Sequence, residues 1–309
     1  MTQSIVTKQA NMTQRTIALL ASKQDAASMN VYEQLAVHWQ QTSTILEKTA
    51  VYCKILGENK VYLFLTQKSS VYCEHIDKEI EQILCAKIDA LIFITKHASK
   101  SGRPSFCVHT QGNWDRADLG GNQKEVATCP VALKHTLFRA LERENNLDGF
   151  EVVNECTHHG PSIETPSMFI EIGSTTAEWA RLDAGTVLAK AVERGLTYYN
   201  GESNPQQIPV IFGFGGTHTC SNFARLVSTD KIFLSHVCPE YALDSITDIV
   251  IKQAILKSTL KPQCVVDWKG MNATQRQKIV AMLQAIHADC KTLAQLKKEC
   301  DSQIIAQHL

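Results

Sequence analysis

The residues of this chain best suited to chemistry are histidines, and they gather near turn-rich segments. His97 follows the apolar run LIFIT in KHASKSGRP, and His109 closes FCVH just ahead of TQGN. His158 and His159 are adjacent in ECTHHGP, His218 lies in GFGGTHT, and His236 ends IFLSHV. Imidazole is the commonest metal-binding side chain and titrates near neutrality, so such a group serves metal ligation or proton transfer. In a regular strand His158 and His159 would face opposite sides. The Gly160-Pro161 pair behind them predicts a turn instead, in which both rings can converge. Two or three imidazoles with one position left for water describe a hydrolytic zinc site. The leading metal ligands are therefore His158, His159 and His218, with His97, His109 and His236 in reserve. The plainer alternative for each is a hydrogen-bonded histidine at a strand end, and spacing alone does not show that the six meet.

Other residue types complete the chemistry. Glu171, in FIEIGST, falls mid-strand, where a carboxylate is either a structural partner or the group that orients a ligand histidine. Gly215 and Gly216 permit close backbone approach and left-handed dihedrals. Their amides are candidates for stabilising an oxyanion, although a glycine run is also simply a tight turn. The run matches neither GxGxxG nor the phosphate-binding P-loop, so it does not argue for a nucleotide. Lys96, Lys100 and Arg103 form a small basic segment that suits phosphate contact with a nucleic-acid backbone; a solvated loop is the alternative. Trp114, in QGNWD, is a candidate for stacking on a base, or else packs inside.

These residues need a scaffold. Strand-like runs recur at Ile17–Leu20, Val61–Leu65, Leu91–Thr95, Phe106–His109, Phe169–Ile172, Val210–Phe214, Ile232–Leu234 and Cys264–Trp268. Runs such as VYLFL, LIFIT and VIFGF scarcely alternate with polar residues, which fits strands covered on both faces. Between them lie helical patterns. Thr175 and Glu178 make a capping-box pair ahead of Ala184, Val187, Leu188, Ala191 and Val192, with Gly195 placed to terminate that helix. Asn272 caps a second helix whose apolar stripe is Ile279, Met282, Leu283 and Ile286. Strands alternating with helices predict an α/β fold, a mixed sheet flanked by helices. We expect one unit over residues 1–309, with a weak boundary between lobes near 112–123, where Gly and Asn concentrate.

Composition limits the function classes. Lys+Arg and Asp+Glu balance at 31 each. A nucleic-acid partner must therefore be met by a local basic patch rather than by the long-range field. The 11 cysteines are scattered singly, without the close spacing of a zinc finger. Their odd number and the polar stretch Met1–Arg15, which has no apolar core of a signal peptide, point to reduced thiols in a cytoplasmic protein.

Four segments taken together resemble the D-aminoacyl-tRNA deacylases of the archaeal and plant type: KHASKSGRPSFCVHTQGN, ECTHHGPSIETPSMFIEIGSTTAEW, GFGGTHT, and VVDWKGM followed by a helix. The resemblance covers about Leu91 to Ile286, and the long central segment is its most specific part. It implies hydrolysis of the ester between a D-amino acid and the tRNA 3′ end, including aldehyde-modified forms. It further implies zinc as cofactor and an α/β fold like that of phosphorylases and peptidyl-tRNA hydrolases. By motif position it carries over His158, His159, Gly160, Glu171 and His218. The chain departs from the family where GGGHYAP becomes Gly215-Gly216-Thr217-His218-Thr219-Cys220-Ser221, and where Glu240 replaces a lysine in SHVCPEY. Two other readings compete: a zinc amidohydrolase or peptidase acting on small substrates, and a tRNA-binding relative without turnover.

Overall fold

The apolar runs TIALLA, VYLFL and LIFIT become three neighbouring parallel strands whose side chains are almost all buried. The computed structural model describes residues 14–307, so most of the polar N-terminal stretch lies outside the described residues. In chain order the strands begin with β1 Arg15–Ser22, β2 Gln40–Leu46, β3 Thr49–Leu56, β4 Asn59–Thr66, β5 Ala90–Ala98, β6 Ser105–His109 and β7 Gly112–Asn113. They continue with β8 Glu125–Val126, β9 Glu151–Asn154, β10 Ser167–Ser174, β11 Val210–Phe214, β12 Phe233–Cys238, β13 Gln263–Val266 and β14 Cys290–Thr292.

The main sheet has 8 strands in the order β2-β3-β4-β1-β5-β10-β6-β9. Its centre, β4-β1-β5-β10, is parallel. β2 and β3 add an antiparallel edge, and β6 runs antiparallel to β10. This is the expected α/β class with a mixed sheet. Helices Ala26–Ala36, Val131–Glu144 and Leu182–Tyr198 cover one face, where Val31, Leu137, Leu188 and Val192 share an apolar cluster with Ile92, Ile94 and Ile170. A smaller parallel sheet, β12-β11-β13-β14, stands beside it. Ile211, Leu234 and Val265 of that sheet join the same apolar cluster. The segment 112–123 leads from β7 to β8, which pair as a two-stranded ribbon. No helix among the described residues is long and apolar enough to cross a membrane.

Two local readings change. Thr175 and Glu178 do form a capping box, but on the short helix Thr176–Trp179; the long helix starts afresh at Leu182. Gly195 lies inside that helix rather than ending it. A Cβ there would meet Leu137 Cδ2 at 2.7 Å, so glycine at this position lets the two helices pack closely. The edge strands β2 and β3 have no apolar run to announce them, because much of their side-chain surface faces solvent.

Candidate functional site

Period-two alternation along β5, β10 and β6 divides their side chains between two environments. Ile92, Ile94, Ile170, Ile172, Phe106 and Val108 point into the helix-covered apolar cluster. The alternate residues make three rows on the opposite face. Phe93, Phe169 and His109 are register partners, with Phe169 stacked on both rings at 4.6 and 5.1 Å. Thr95, Glu171 and Cys107 form the next row, and His97, Gly173 and Ser105 the third. The row carrying Glu171 thus stands between an aromatic shelf and the C-terminal end of β5, where open α/β sheets bind ligands.

A loop from Glu155 to Gly160 brings the remaining groups over this face. It is held by a bridge between Gln111 and His158 and by Cys156 N–H to His218 O at 2.8 Å. Thr157 N–H donates to Val237 O at 3.0 Å, which ties the loop to the smaller sheet. His159 adopts a left-handed conformation, φ 47°, so the adjacent rings do not alternate as in a strand. The ring centroids of His158 lie 4.1 Å from His109, 4.4 Å from His159 and 4.4 Å from His218. The structure thus brings His97, His158, His159, His218 and Glu171 around one cavity of about 320 Å³, which Asp25, Val71 and Leu119 also line, with His109 buried behind the rings of His158 and His159.

Protonation follows from the contacts. His158 Nδ1 lies 2.9 Å from Cys156 O and His159 Nδ1 2.6 Å from Gly160 O. A carbonyl oxygen only accepts, so both Nδ1 atoms carry the hydrogen and each Nε2 keeps a free lone pair. Burial, together with neighbouring imidazoles, pushes His158 well below its ordinary value and His159 down to about 3. Both rings are therefore neutral, as metal ligands must be. His109 is wholly buried and neither ring nitrogen has a hydrogen-bond partner. An unpaired buried polar group costs about 1–3 kcal/mol, a cost that a metal ion bound to one of these nitrogens would offset.

Sequence reasoning passed over Glu155, the most buried charge in the cluster. Its Oε1 lies 3.1 Å from His97 Nδ1 and 3.4 Å from His218 Nε2, yet neither carboxylate oxygen meets hydrogen-bond geometry. Burial pushes this carboxyl up, but the imidazoles of His218 and His97 outweigh it and hold the group well below the carboxylate range. Burial lowers His218 too, but Cys156 and Glu155 outweigh that and raise it to about 10. Tyr241 was also missed; its hydroxyl sits 3.1 Å from His218 Nδ1 and 3.4 Å from Cys156 Sγ. Glu171 has Thr95 Oγ1 donating to Oε1 at 2.6 Å, while Oε2 lies 3.8 Å from both His97 and His109.

Four overlapping groups have ligand atoms within 4.8 Å of one another: His109-His158-His159, Cys156-His158-His218, His97-Cys107-Glu155 and His109-Glu155-Glu171. Nitrogen, sulfur and carboxylate donors of this kind suit a transition-metal ion such as zinc. His158 belongs to two of the groups, whereas His159 and His218 fall in different ones.

Several expected site residues lie elsewhere or are already engaged. His236 is buried within β12, its Nδ1 at 3.1 Å from Thr157 Oγ1 and its Nε2 at 3.1 Å from Lys257 O, so it is outside the metal-type groups. Trp114 is buried as well, donating Nε1–H to Thr157 O at 2.8 Å and stacked on Phe212, which leaves no face for a base. Gly215 and Gly216 have φ of 90° and 89°, as glycine allows, but their amides donate to Cys238 O and Gly270 O, both at 2.9 Å. They are not free to hold an oxyanion. Lys96, Lys100 and Arg103 are exposed on the segment beside His97, and none makes an ion pair among the described residues. Lys96 Nζ stands over the Trp179 ring at 5.1 Å, and Trp179 Nε1 donates to His97 O at 3.0 Å. The Trp of the EW pair in the central motif thereby anchors the end of β5, while Glu178 caps the short helix after β10.

Gly173 gives a test of this packing. A Cβ at this position would lie 2.7 Å from His97 Cδ2 and 2.8 Å from Ser105 Oγ. Gly173→Ala must displace the His97 ring. A misplacement of about 1 Å at a reacting group costs about a hundredfold in rate, so steady-state assays should show that loss while thermal unfolding shows a destabilisation of about 1–3 kcal/mol. Unchanged kcat/KM would mean that His97 has no positional role.

The D-aminoacyl-tRNA deacylase family profile matches residues 84–291. The D-aminoacyl-tRNA deacylase of Pyrococcus furiosus is 32% identical over 262 residues, covering 84% of this chain and 93% of its own length. That of Methanosarcina mazei is 31% identical over 284 residues, covering 89% and 92%. Among solved structures, the crystal structure of a conserved protein of unknown function superimposes with a TM-score of 0.80 at 25% identity, covering 92% of this chain and 97% of that one. The match takes in the strands and the loop that carry Glu155, His158, His159 and Glu171, and this chain belongs to the D-aminoacyl-tRNA deacylase family.

Proposed function

We propose that this chain hydrolyses the ester of D-aminoacyl-tRNA at the histidine–glutamate cluster over β5, β10 and β6, with a zinc ion held by His109, His158 and His159. The observation that carries the reading is the set of three imidazoles, His109 buried and His158 and His159 half-buried, with unused ring nitrogens beside two buried carboxylates. When bound, zinc supplies Lewis acidity that polarises the ester carbonyl and lowers the pKa of water toward neutrality. His218 differs from these three, because its Nδ1 faces Tyr241 and Cys156 and its Nε2 faces Glu155. It is better placed to hold a proton than to bind metal.

The protein groups divide the remaining work. Glu171, fixed by Thr95, keeps Oε2 toward His97 and His109 and accepts a proton from the attacking water. His218, charged beside Glu155, passes a proton to the departing ribose oxygen. The amides of Thr217 and His218, which make no hydrogen bond among the described residues, take over the oxyanion role first assigned to Gly215 and Gly216. Val71, Leu119 and Phe169 wall the space beside the reacting centre and limit what the α-carbon can carry. The 11 cysteines are free thiols, which suits a reducing, cytoplasmic setting.

Lys96, Lys100 and Arg103 form the rim that meets the tRNA backbone. If so, replacing all three by Ala weakens binding of every charged tRNA alike. It also lowers the slope of log Kd against log salt by about one to three, since each lost phosphate contact removes roughly one unit. Filter binding over a range of salt concentrations measures this. An unchanged slope would place the RNA on another surface.

A further inference from the structure

We infer that Thr157 is a positioning residue for the reaction, and that Trp114 and His236 serve it by clamping the 155–160 loop to the smaller sheet. The inference rests on the deacylase reading above. Thr157 stands between two residues that face the site. Cys156 Sγ lies 3.3 Å from His218 Nδ1, and the ring centroids of His158 and His218 are 4.4 Å apart. Thr157 turns the other way, toward β12, and is only 2% exposed.

Every polar atom of Thr157 is engaged there. Its N–H donates to Val237 O at 3.0 Å, and its carbonyl accepts from Trp114 Nε1–H at 2.8 Å. Its Oγ1 lies 3.1 Å from His236 Nδ1. The far side of the ring sets the direction of that last bond. His236 Nε2 faces Lys257 O at 3.1 Å, and a carbonyl only accepts, so Nε2 carries the hydrogen. Burial pushes His236 down to about 3, which keeps the ring neutral. Nδ1 is therefore a bare acceptor, and the Thr157 hydroxyl donates to it.

The two partners are themselves held. Trp114, directly after β7, stacks on Phe212 of β11 with centroids 5.7 Å apart. The His236 ring meets both of them edge-on, at 6.4 and 6.2 Å, and all three side chains are buried. Lys257, on the far side of His236, caps the helix Asp248–Leu256. Buried polar groups from two separate elements thus converge on one loop residue, with Glu155 two positions before it and His158 next after it. Removing a partner that orients a site's groups costs about tenfold to a hundredfold. A shift of about 1 Å at a reacting group costs about as much.

The test sets Thr157→Val, which keeps the shape and removes the donor, beside Thr157→Ser, which keeps the donor. With D-tyrosyl-tRNA, Thr157→Val should lower kcat about tenfold to a hundredfold and leave KM within about threefold. Thr157→Ser should keep kcat within about threefold of the native chain. Trp114→Phe keeps the stacking on Phe212 and removes the other bond, so it should lower kcat about tenfold even if Thr157→Val fails to fold. Folded Thr157→Val and Trp114→Phe with kcat within about threefold of native overturn the inference. So does a fall in Thr157→Ser as large as in Thr157→Val. Should the native chain hydrolyse no aminoacyl-tRNA, the deacylase reading fails instead. The clamp is then decided by proton–nitrogen NMR of the histidine rings in Thr157→Val. His236 shifts in any case, because it loses its donor. Ring signals of His158 and His218 that shift with it support the inference, and signals that stay at their native positions overturn it.

Discussion

Glu155→Gln is expected to lower kcat/KM for D-tyrosyl-tRNA by about a thousandfold, within the range that a positioned acid–base group contributes. The carboxylate is buried and stands 3.1 Å from His97 and 3.4 Å from His218. Glutamine keeps the shape but removes the charge that holds His218 protonated. It also leaves His97 and His218 facing a neutral amide in a poorly solvated space. Breaking one side of a buried charge pair costs about 3–5 kcal/mol. The variant should therefore unfold at lower temperature as well, and circular dichroism must confirm that it is folded under assay conditions. Loss of rate in a folded protein assigns Glu155 to the reaction. Activity within about tenfold of the native chain would show that its charge is only structural.

Removal of metal is expected to have an effect of similar size. Chelation should abolish hydrolysis, and zinc should restore it. The three-histidine group lies on β6 and in the 155–160 loop, against a sheet whose apolar clusters do not depend on it. The stripped protein should therefore keep its far-ultraviolet circular dichroism. It should nevertheless melt several degrees lower, because zinc at about a hundred times its Kd stabilises the folded state by about 2.7 kcal/mol. The buried nitrogens of His109 that lack partners are where that stabilisation arises. Full activity after chelation, with metal content verified at zero, would contradict the zinc assignment and leave hydrolysis to the protein side chains.

What the sequence made visible, and what it hid, follows the range of the interactions. β5 and β10 were legible because continuous apolar runs announce strands buried on both faces. His97 and His109 near strand ends, and the turn at His158 and His159, were legible for the same local reason. Glu155 was not, although it sits in the quoted motif three residues before His158. Nothing local marks an acidic residue as buried, and its burial comes from β6, the histidines and the turn after β11. The choice between the two readings of Trp114, stacking on a base or packing inside, was hidden in the same way: Phe212 of the smaller sheet covers its ring. The amides of Gly215 and Gly216 looked free because their acceptors, Cys238 and Gly270, are far along the chain. His236 looked like a strand-end ligand, yet β12 runs on to Cys238 and encloses it.

The central claim is that this cluster removes D-amino acids from tRNA. Single-turnover hydrolysis of D-tyrosyl-tRNA and L-tyrosyl-tRNA by the purified, metal-loaded chain tests it most directly. A chiral site rejects the wrong enantiomer through steric clash and misplacement of the ester, and misplacement alone is worth about a hundredfold. The account predicts that the D-form is cleaved at least about a hundredfold faster, and that His158→Ala removes the D-specific rate while the protein stays folded. Equal rates on the two enantiomers, or a faster rate on the L-form, would contradict it.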